Sequence, residues 1–281
     1  MKFKLYREYG ALNSKPVFDA FEAGVKLHGH EIVENGEDVA VIWSVLWQGR
    51  MAGNQKIYNV CKALNKPIII LEVGSLKRNE TWKVGLGHIN NLGFFGNSEN
   101  LDHERPQKLG LALAPLQTER RAEILIAGQH EHSLQWQGQQ SMVKWVQDTV
   151  YKLRNHTQRK IVVRPHPRSN FYLDMPSVTI DRPLRVPNTY DDFNIDYNYH
   201  CVINFCSGPS MQAAINGVPV ICDSTSLASE ISEKIENIEN LQMPDRTEWF
   251  VKLCHTEWTV TEIQQGIPLA RLLPKISENL P

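Results

Sequence analysis

Two short stretches in the middle of the chain combine buried-strand residues with groups that bind anions. Ile161–Arg168 (IVVRPHPR) starts with β-branched residues and ends with His166 between two prolines and two arginines. Cys201–Asp223 (CVINFCSGPSMQAAINGVPVICD) starts in the same way and breaks at Ser207 and Gly208 into an Ala-rich helical run. A helix N-terminus attracts phosphate through its dipole and its free backbone N–H groups. The two stretches therefore predict a phosphate-bearing ligand at the carboxyl edge of a parallel sheet.

His166 is the group of the first stretch that can act on such a ligand, with Arg164 and Pro167 close beside it. An imidazole at a strand end can donate to a phosphate oxygen or act as an acid toward a leaving group. The alternative is a structural histidine bonded to a backbone carbonyl.

Ser207, Gly208 and Ser210 are the phosphate-binding candidates of the second stretch, since Gly208 leaves room and the two hydroxyls can donate. The alternative is that Ser207 only caps the helix. The sequence contains no GxxxxGK[ST] loop and no GxGxxG after a strand. This argues against a P-loop enzyme and against a dinucleotide-dependent dehydrogenase.

Gly128 and Gln129 end an earlier apolar run and add a third loop to the same predicted edge. A glycine there permits close backbone approach to a ligand, although a simple turn is the alternative. His130 and His132 are the nearest metal-ligand candidates, but they have no third partner at the usual spacing. We therefore predict no metal site.

Carboxylates mark the strand ends of the first half of the chain. Glu72 ends the apolar run Pro67–Val73 (PIIILEV), and Glu8 follows the first strand. A carboxylate at the mouth of a parallel strand is a candidate general base. The alternative for Glu72 is an ion pair with Lys77 or Arg78.

Trp82, His88 and Arg78 are the acceptor-binding candidates, because they lie in a Gly- and Asn-rich stretch near the same strand ends. A tryptophan or histidine there can stack on a ring or a base, and an arginine can add a basic rim. The alternative for the aromatic side chains is burial in the core.

Alternating strand-like and helix-like segments must position these residues. Strands are predicted at Phe3–Arg7, Val39–Ser44, Pro67–Val73, Glu123–Ala127, Lys160–Val163, Val178–Asp181, Cys201–Phe205 and Val218–Cys222. Helices are predicted at Val17–Leu27, Gln55–Leu64, Ser141–Arg154, Ser210–Ile215 and over much of Asp245–Leu273. The stretch Gly74–Pro115 is predicted to lack regular structure.

Alternation of this kind predicts an α/β fold of right-handed, doubly wound parallel sheets. The pattern restarts near residue 120 after the irregular stretch, which predicts two Rossmann-like domains facing a cleft. We place the first domain at residues 1–118 and the second at residues 119–245. Residues 246–281 are predicted to form helices that pack back across the domains.

The composition limits the class of protein. With 42% hydrophobic and 22% charged residues the chain is typical of globular proteins, and no apolar run reaches the roughly 18 residues of a membrane span. The N-terminus has no signal-like apolar segment and the five cysteines form no CxxC pair, so we expect a cytoplasmic protein with reduced thiols. A net charge of -1 gives no support to a strongly basic nucleic-acid binder.

The segments ILIAGQHEHS, VVRPHPR and INFCSGPSMQAAINGVPVICD together resemble the nucleotide-binding half of GT-B glycosyltransferases. The similarity spans roughly Glu123–Glu230 and is greatest to capsule Kdo-transferase and bacterial sialyltransferase types. The resemblance implies that Gln129, His166, Ser207 and Ser210 contact a nucleotide-sugar donor, such as a UDP- or CMP-sugar. It also implies that the first half carries the acceptor site and the base.

Two segments of the first half, REYGALNSKPVFDAF and LEVGSLKRNETWKVGLGHINNLGFFGN, resemble predicted glycosyltransferases of tailed phages. In that setting a plausible acceptor is the hydroxymethyl group of a modified pyrimidine, such as 5-hydroxymethylcytosine, in double-stranded DNA. Such an enzyme has to expose the base.

We therefore expect a glycosyltransferase that moves a sugar from a nucleotide-sugar to a hydroxyl, with hydroxymethylated phage DNA as the first acceptor hypothesis. One alternative is a glycosyltransferase for a capsule or envelope glycan. A second is a non-catalytic module that binds nucleotide-sugars, and a third is a sugar-nucleotide epimerase. The sequence leaves the sugar and the oligomeric state open.

Overall fold

The computed structural model describes residues 1–184, 194–278 and 280, and its chain divides into two compact units. The first unit comprises Met1–Leu109, His132–Leu134 and the residues from Val251 onward. The second comprises Gly110–Glu131 and Gln135–Phe250. Each unit is an α/β body around its own sheet, which confirms the predicted fold class of Rossmann-like sheets.

The elements follow one another along the chain in the predicted alternation. The strands are β1 (Lys2–Leu5), β2 (Glu31–Ile32), β3 (Val39–Trp43), β4 (Ile68–Val73), β5 (Trp82–Leu86), β6 (Ile124–Ala127), β7 (Ile161–Arg164), β8 (Val178–Ile180), β9 (Cys201–Asn204), β10 (Val220–Cys222) and β11 (Glu257–Trp258). The helices are α1 (Lys15–Leu27), α2 (Gly53–Ala63), α3 (Arg105–Lys108), α4 (Met142–Arg154), α5 (Gly208–Ile215), α6 (Thr247–Cys254), α7 (Val260–Gln264) and α8 (Ile267–Glu278). None of the helices in the described ranges has the length and apolar character needed to cross a membrane.

The first sheet has the strand order β11-β5-β4-β3-β1-β2. Strands β2, β1, β3 and β4 pair in parallel. Every residue of β3 is buried, because helices cover both faces of the sheet. Val41 and Trp43 pack in one cluster with α1 and α8, and Ile42 packs in another with α2.

Strands β2, β5 and β11 were not predicted. β5 lies within Gly74–Pro115, and β11 lies in the segment predicted to be helical. β5 pairs antiparallel with β4, and β11 pairs antiparallel with β5, so this edge of the first sheet is mixed and the prediction of a purely parallel sheet is wrong there. β11 has only two residues, and both strands depend on partners brought together only by folding, such as Trp82 opposite Trp258.

The second sheet has the strand order β10-β9-β6-β7-β8, and all its strands are parallel. On one face, α4 packs Met142, Val146 and Val150 against the alternating residues Ile124 and Ile126 of β6. The chain leaves the central strand β6 for β7 on one side and reaches β9 on the other. The sheet therefore has a topological switch point between β6 and β9.

The segment from Val251 onward completes the first unit. Arg105 of α3 binds this segment through several hydrogen bonds and an ion pair. The Arg105 side chain is buried and bonded to the Glu262 carboxylate of α7. Its Nε also donates to Cys254 O (2.6 Å) and its Nη2 to Glu257 O (2.7 Å). Because three separate groups of one segment share this guanidinium, the segment is an integral part of the first unit.

Candidate functional site

The carboxyl ends of four parallel strands meet at one edge of the second sheet. Ala127 of β6 is in register with Arg164 of β7 and with Asn204 of β9, and Asn204 is in register with Cys222 of β10. The loops that follow these strands carry the ligand-binding residues predicted from the sequence. This edge includes the switch point between β6 and β9, where open α/β sheets bind their ligands.

Two buried amides brace this edge from within. Asn204 Nδ2 donates to Ala127 O (2.8 Å) and Ser207 Oγ (2.9 Å), and its Oδ1 accepts from Ser207 N (2.7 Å). Gln129 Oε1 accepts from Cys206 N (3.1 Å). Both side chains are nearly inaccessible, at 1% and 3% exposure. They therefore link the loop after β6 to the loop after β9, a positioning role that the sequence did not suggest for Gln129.

Helix α5 begins at this edge without a side-chain cap. Ser207 stands at the N-cap in extended conformation, but its hydroxyl accepts from Asn204 and makes no bond to the helix. The Ser210 hydroxyl, expected from the sequence to meet a phosphate, is fully buried against Ser207 O (3.1 Å) and Ser226 Oγ (3.2 Å). The helix therefore offers the backbone N–H groups of Gly208 and Ser210 to an anion, since Pro209 between them has no N–H.

His166 is half-buried between two buried prolines, Pro165 and Pro167. Its Nδ1 accepts the backbone N–H of Arg168 (3.1 Å), so the neutral ring carries its proton on Nε2. The ring of His130 meets it edge-on, with the ring centroids 5.2 Å apart. The bond to Nδ1 and this packing fix the orientation of the imidazole ring.

Arg164 is committed to partners within the second unit. Its Nη1 pairs with Asp181 Oδ2 at 2.7 Å, and its Nη2 donates to Asn194 O at 2.9 Å. These bonds tie the end of β7 to residues that follow β8. The guanidinium thus shapes the edge, and its charge is balanced by the Asp181 carboxylate.

Gly128 is not required by the fold. Its backbone is outside the left-handed region. A Cβ built on it would lie 3.5 Å from the ring of Phe171 and 3.6 Å from both Arg164 O and His166 N, which are ordinary contact distances. An alanine therefore fits the protein at this position.

Glu72, near the end of β4, is held by neutral donors. Its Oε2 accepts from Ser44 Oγ (2.6 Å) and more weakly from Val45 N (3.4 Å), and its Oε1 accepts from the next backbone N–H (2.9 Å). In the described part of the chain Glu72 forms no ion pair, and Lys77 pairs instead with Glu80. The carboxylate is therefore oriented but not neutralised, as a general base requires.

Glu8 lies in the short 3-10 turn Arg7–Tyr9 and is exposed to solvent. It lacks the network of donors that orients Glu72. Of the two base candidates, Glu72 is therefore the one whose carboxylate has a fixed direction.

Trp82 and His88 are both in the interior of the first unit, the alternative left open for aromatic candidates. Trp82 lies in the main core cluster. His88 is buried, its Nδ1 accepts from Ile89 N (3.0 Å), and burial lowers its pKa to about 4. Arg78, in contrast, is exposed.

The structure also contains positioning residues that sequence reasoning missed, among them Asn204, Ser44 and Glu257. Glu257 is fully buried in β11, and its carboxylate accepts from Ser75 N (2.7 Å), Ser75 Oγ (2.8 Å), Leu76 N (2.9 Å) and Thr81 Oγ1 (2.8 Å). It thereby orders the loop that follows β4. No local pattern marks a residue whose partners lie so far away in sequence.

Each unit carries groups whose chemistry can be stated separately. The edge of the second sheet supplies an imidazole N–H and the start of a helix, which suit a phosphate or diphosphate group. The first unit supplies a carboxylate suited to accept a proton. Within the described ranges, no three His, Cys, Asp or Glu side chains are grouped so as to hold a metal ion.

No protein-family model matches the sequence, and no curated protein matches it either. Solved structures with a similar fold are found, however. KpsC beta Kdo 2,4 transferase of Thermosulfurimonas dismutans is similar over 90% of this chain and 89% of its own, at 12% identity and a TM-score of 0.51. The beta Kdo 2,7 transferase of the same KpsC is similar over 96% of this chain and 99% of its own, at 13% identity and a TM-score of 0.50.

A UDP-GlcNAc 2-epimerase of Methanocaldococcus jannaschii aligns over 98% of this chain and 100% of its own at 12% identity, with a TM-score of only 0.30. At such low identities, the likeness to the two Kdo transferases establishes the fold alone. The chain has a GT-B-like fold of two Rossmann-like units.

Proposed function

We propose that this protein is a glycosyltransferase that moves a sugar from a nucleotide-sugar donor to a hydroxyl group. The proposal rests chiefly on the edge of the second sheet, where the His166 imidazole and the uncapped start of α5 follow neighbouring strands. N–H donors at such an edge suit the phosphate of a nucleotide. The GT-B-like fold supports the same conclusion.

In the proposed reaction, the acceptor oxygen bonds to the anomeric carbon of the sugar as the bond from that carbon to the donor's phosphate oxygen breaks. Glu72 accepts the proton of the acceptor hydroxyl. The His166 Nε2–H and the first backbone N–H groups of α5 stabilise the negative charge that develops on the leaving phosphate. Gln129 and Asn204 hold the two loops that carry these donors.

A saccharide hydroxyl is the proposed acceptor. Trp82 and His88, the side chains expected from the sequence to stack on a ring or a base, are both buried in the first unit. The net charge of -1 adds no general attraction to DNA. Hydroxymethylated duplex DNA is therefore not the proposed acceptor, but it is included among the acceptors that are tested for sugar transfer.

Thermal unfolding in the presence of UDP, CMP, GDP and their sugars tests the donor side. A ligand that binds the folded state at 100 times its Kd adds about 2.7 kcal/mol to the free energy of unfolding. We expect one nucleotide family to raise the Tm, and His166→Ala to remove most of that rise. If none of the nucleotides changes the Tm of the wild-type protein, the proposed donor site is wrong.

Transfer of a labelled sugar to a panel of acceptors tests the reaction itself. With the nucleotide-sugar that raises the Tm, we expect product on an oligosaccharide, and a Glu72→Gln variant that binds the donor but transfers slowly. Product on hydroxymethylated duplex DNA would replace the saccharide proposal. Donor binding with no product on any acceptor would instead indicate a non-catalytic nucleotide-sugar-binding module.

A further inference from the structure

We propose that Tyr9 is an acceptor-binding residue, whose ring and hydroxyl hold the acceptor saccharide near Glu72 at the carboxyl edge of the first sheet. The inference deepens the proposed function and rests on it. It also fills a role that the aromatic candidates from the sequence leave open, since Trp82 and His88 are buried in the interior. Sugar transfer by the wild-type protein and acceptor binding by Tyr9 are measured separately.

The start of α2 makes room for the Tyr9 ring. Gly53 is the first residue of α2, and its φ of -62° and ψ of -26° are helical values that any residue adopts. A Cβ built on it would lie 2.3 Å from Cε1, 2.4 Å from Cδ1 and 2.6 Å from Cζ of Tyr9. The backbone conformation therefore does not require a glycine here. The Tyr9 ring does, because it lies directly against the first residue of the helix.

A buried amide holds Tyr9 in this place. Asn54, which follows Gly53, is fully buried, and its Nδ2 donates to Tyr9 O (3.2 Å) and to Trp43 O. Its Oδ1 is enclosed and has no partner among the residues that the structure describes. The orientation of the amide is therefore set by its two donor contacts, which tie Tyr9 to the end of β3.

The end of β3 also lies beside the proposed base. Ser44 follows Trp43 with a positive φ of 66°, and its hydroxyl donates to Glu72 Oε2 at 2.6 Å. β1, which precedes Tyr9, and β4, which carries Glu72, are the two neighbours of β3 in the sheet. Neighbouring strands lie about 4.8 Å apart, so these two strand ends are about 10 Å apart. This spacing suits a saccharide that packs on the ring and presents a hydroxyl to the carboxylate.

The chemistry of the Tyr9 side chain suits the same kind of ligand. The side chain is half-buried, and within the described ranges its hydroxyl forms no hydrogen bond. Tyr6 and Tyr58 of the same unit, in contrast, donate to Glu37 Oε1 (3.3 Å) and Gly87 O (3.3 Å). A saccharide has C–H faces that pack on an aromatic ring and hydroxyl groups that bond to a phenol. Ligand sites combine such an aromatic surface with a few polar groups.

A purely structural role for the Tyr9 ring makes a different prediction. A ring that only fills the space beside α2 adds to the stability of the first unit, so its loss lowers the Tm and leaves the affinity for an acceptor unchanged. A ring that binds the acceptor equally well before and during the reaction changes KM for the acceptor at constant kcat. The division of the effect between KM and kcat therefore separates the two roles.

The test is the rate of sugar transfer as a function of acceptor concentration, with the oligosaccharide on which the wild-type protein forms product. Tyr9→Phe removes only the hydroxyl and keeps the ring against α2, and Tyr9→Ala removes the ring. Tyr6→Phe is the matched control, because it removes a hydroxyl that bonds to Glu37 within the protein. Gly53→Ala displaces the Tyr9 ring without altering it, and it is also combined with Tyr9→Ala in a double-mutant cycle.

We expect KM for the acceptor to rise about three- to tenfold in Tyr9→Phe and about thirtyfold or more in Tyr9→Ala. In both variants kcat, KM for the donor and the rise in Tm with nucleotide should stay as in the wild type. Tyr6→Phe should leave KM for the acceptor unchanged. Gly53→Ala should raise it in the wild-type background but add little to Tyr9→Ala, because the ring that the new methyl group displaces is then absent.

The proposal for Tyr9 and the proposed function fail in different ways. If the wild type transfers sugar and KM for the acceptor is unchanged in both Tyr9 variants, Tyr9 does not bind the acceptor. A fall in kcat alone also overturns the proposal, as does transfer to hydroxymethylated duplex DNA but to no saccharide. If the wild type forms no product on any acceptor, the proposed function itself is overturned, and Tyr9 has no acceptor to bind.

Discussion

Arg164 binds Asp181 and Gln129 binds Cys206, so both side chains shape the edge of the second sheet from within. His166 is also oriented: its Nδ1 accepts the Arg168 backbone N–H, so the neutral ring carries its proton on Nε2. Gly128 differs in another way, since a Cβ there would make only ordinary contacts, so the fold does not require a glycine. At the scale of single residues, His166 and Gly128 are therefore the positions where a substitution tests ligand binding most directly.

Gly128→Ala is expected to leave the Tm nearly unchanged and to weaken nucleotide binding. The added methyl group meets only ordinary contacts at 3.5 Å or more within the protein, but it occupies the volume proposed for the ligand. Gly217→Ala is the contrasting variant, because φ is +78° there and a Cβ would lie 2.0 Å from Pro115 O. It should lower the Tm. Unaltered nucleotide affinity in Gly128→Ala would show that no ligand approaches this position.

The sequence predicts the position of some of these residues but not of others, because only some are marked by a local pattern. His166 and Ser207 follow apolar runs directly, so their position at the end of a buried strand is visible in the local pattern. Asn204 occupies the last position of an apolar run. Its role in bracing the edge depends on its hydrogen bond to Ala127 O in a neighbouring strand, which the local sequence does not show. Ser44 is conspicuous only through its φ angle, which no residue pattern reveals.

At the scale of elements, the turn from β9 into α5 depends on a single amide. Asn204 satisfies the Ser207 N–H and ties the turn to β6 through Ala127 O. The Ser207 hydroxyl is thereby drawn away from the helix, which leaves the first turn of α5 without a side-chain cap. The anion-binding character of the helix start is therefore a property of the β9–α5 turn as a whole.

Asn204→Ala is expected to lower the free energy of unfolding by about 1–3 kcal/mol, because it leaves buried polar groups without their partner. It should also weaken nucleotide binding, since the start of α5 loses its fixed position. Asn216→Ala, at the other end of the same helix, removes a bond to Gln212 O at a less buried site. Urea unfolding and nucleotide titration of both variants provide the comparison. Equal losses of stability and of nucleotide affinity in the two variants would refute the role of Asn204 in positioning the start of α5.

Elements buried on both faces were the most predictable. β3, β4, β6 and β9 are near-continuous apolar runs, and α1 and α4 have apolar positions at helical spacing. β5 contains a buried lysine and a glycine, so no period of two marks it. β11 has only two residues and exists because it pairs with β5.

At the scale of the whole molecule, several histidines are folded into the interior as neutral groups. Burial lowers the pKa of His88 to about 4 and also lowers the pKa values of His200 and His255. The rings of His200 and His255 are bonded to the backbone carbonyls of Ile238 and Val251. They lie in different units, so each unit contains a buried histidine whose pKa is lowered.

The free energy of unfolding is expected to fall as the pH drops from about 6.5 to about 4. In this window the unfolded chain binds protons that the folded protein excludes, so acid favours unfolding. His88 alone contributes up to about 3 kcal/mol of this loss. Urea unfolding from pH 7 to pH 4 should show a shallower pH dependence for His88→Gln than for the wild type. Replacing the exposed His156 by Gln is the control, and equal slopes in all three proteins would contradict the prediction.

The discontinuity of the first unit has a consequence for how the protein is made. A ribosome that has released residues 1–109 has not yet synthesised β11, α7 or α8, nor the Glu262 carboxylate and Glu257 backbone oxygen that Arg105 binds. The second unit, in contrast, is almost continuous in the chain and has its own core. Domains tend to fold as units as they emerge during synthesis. The nascent chain therefore completes its second unit first, and the first unit waits, with one edge of its sheet open, until translation has passed residue 250.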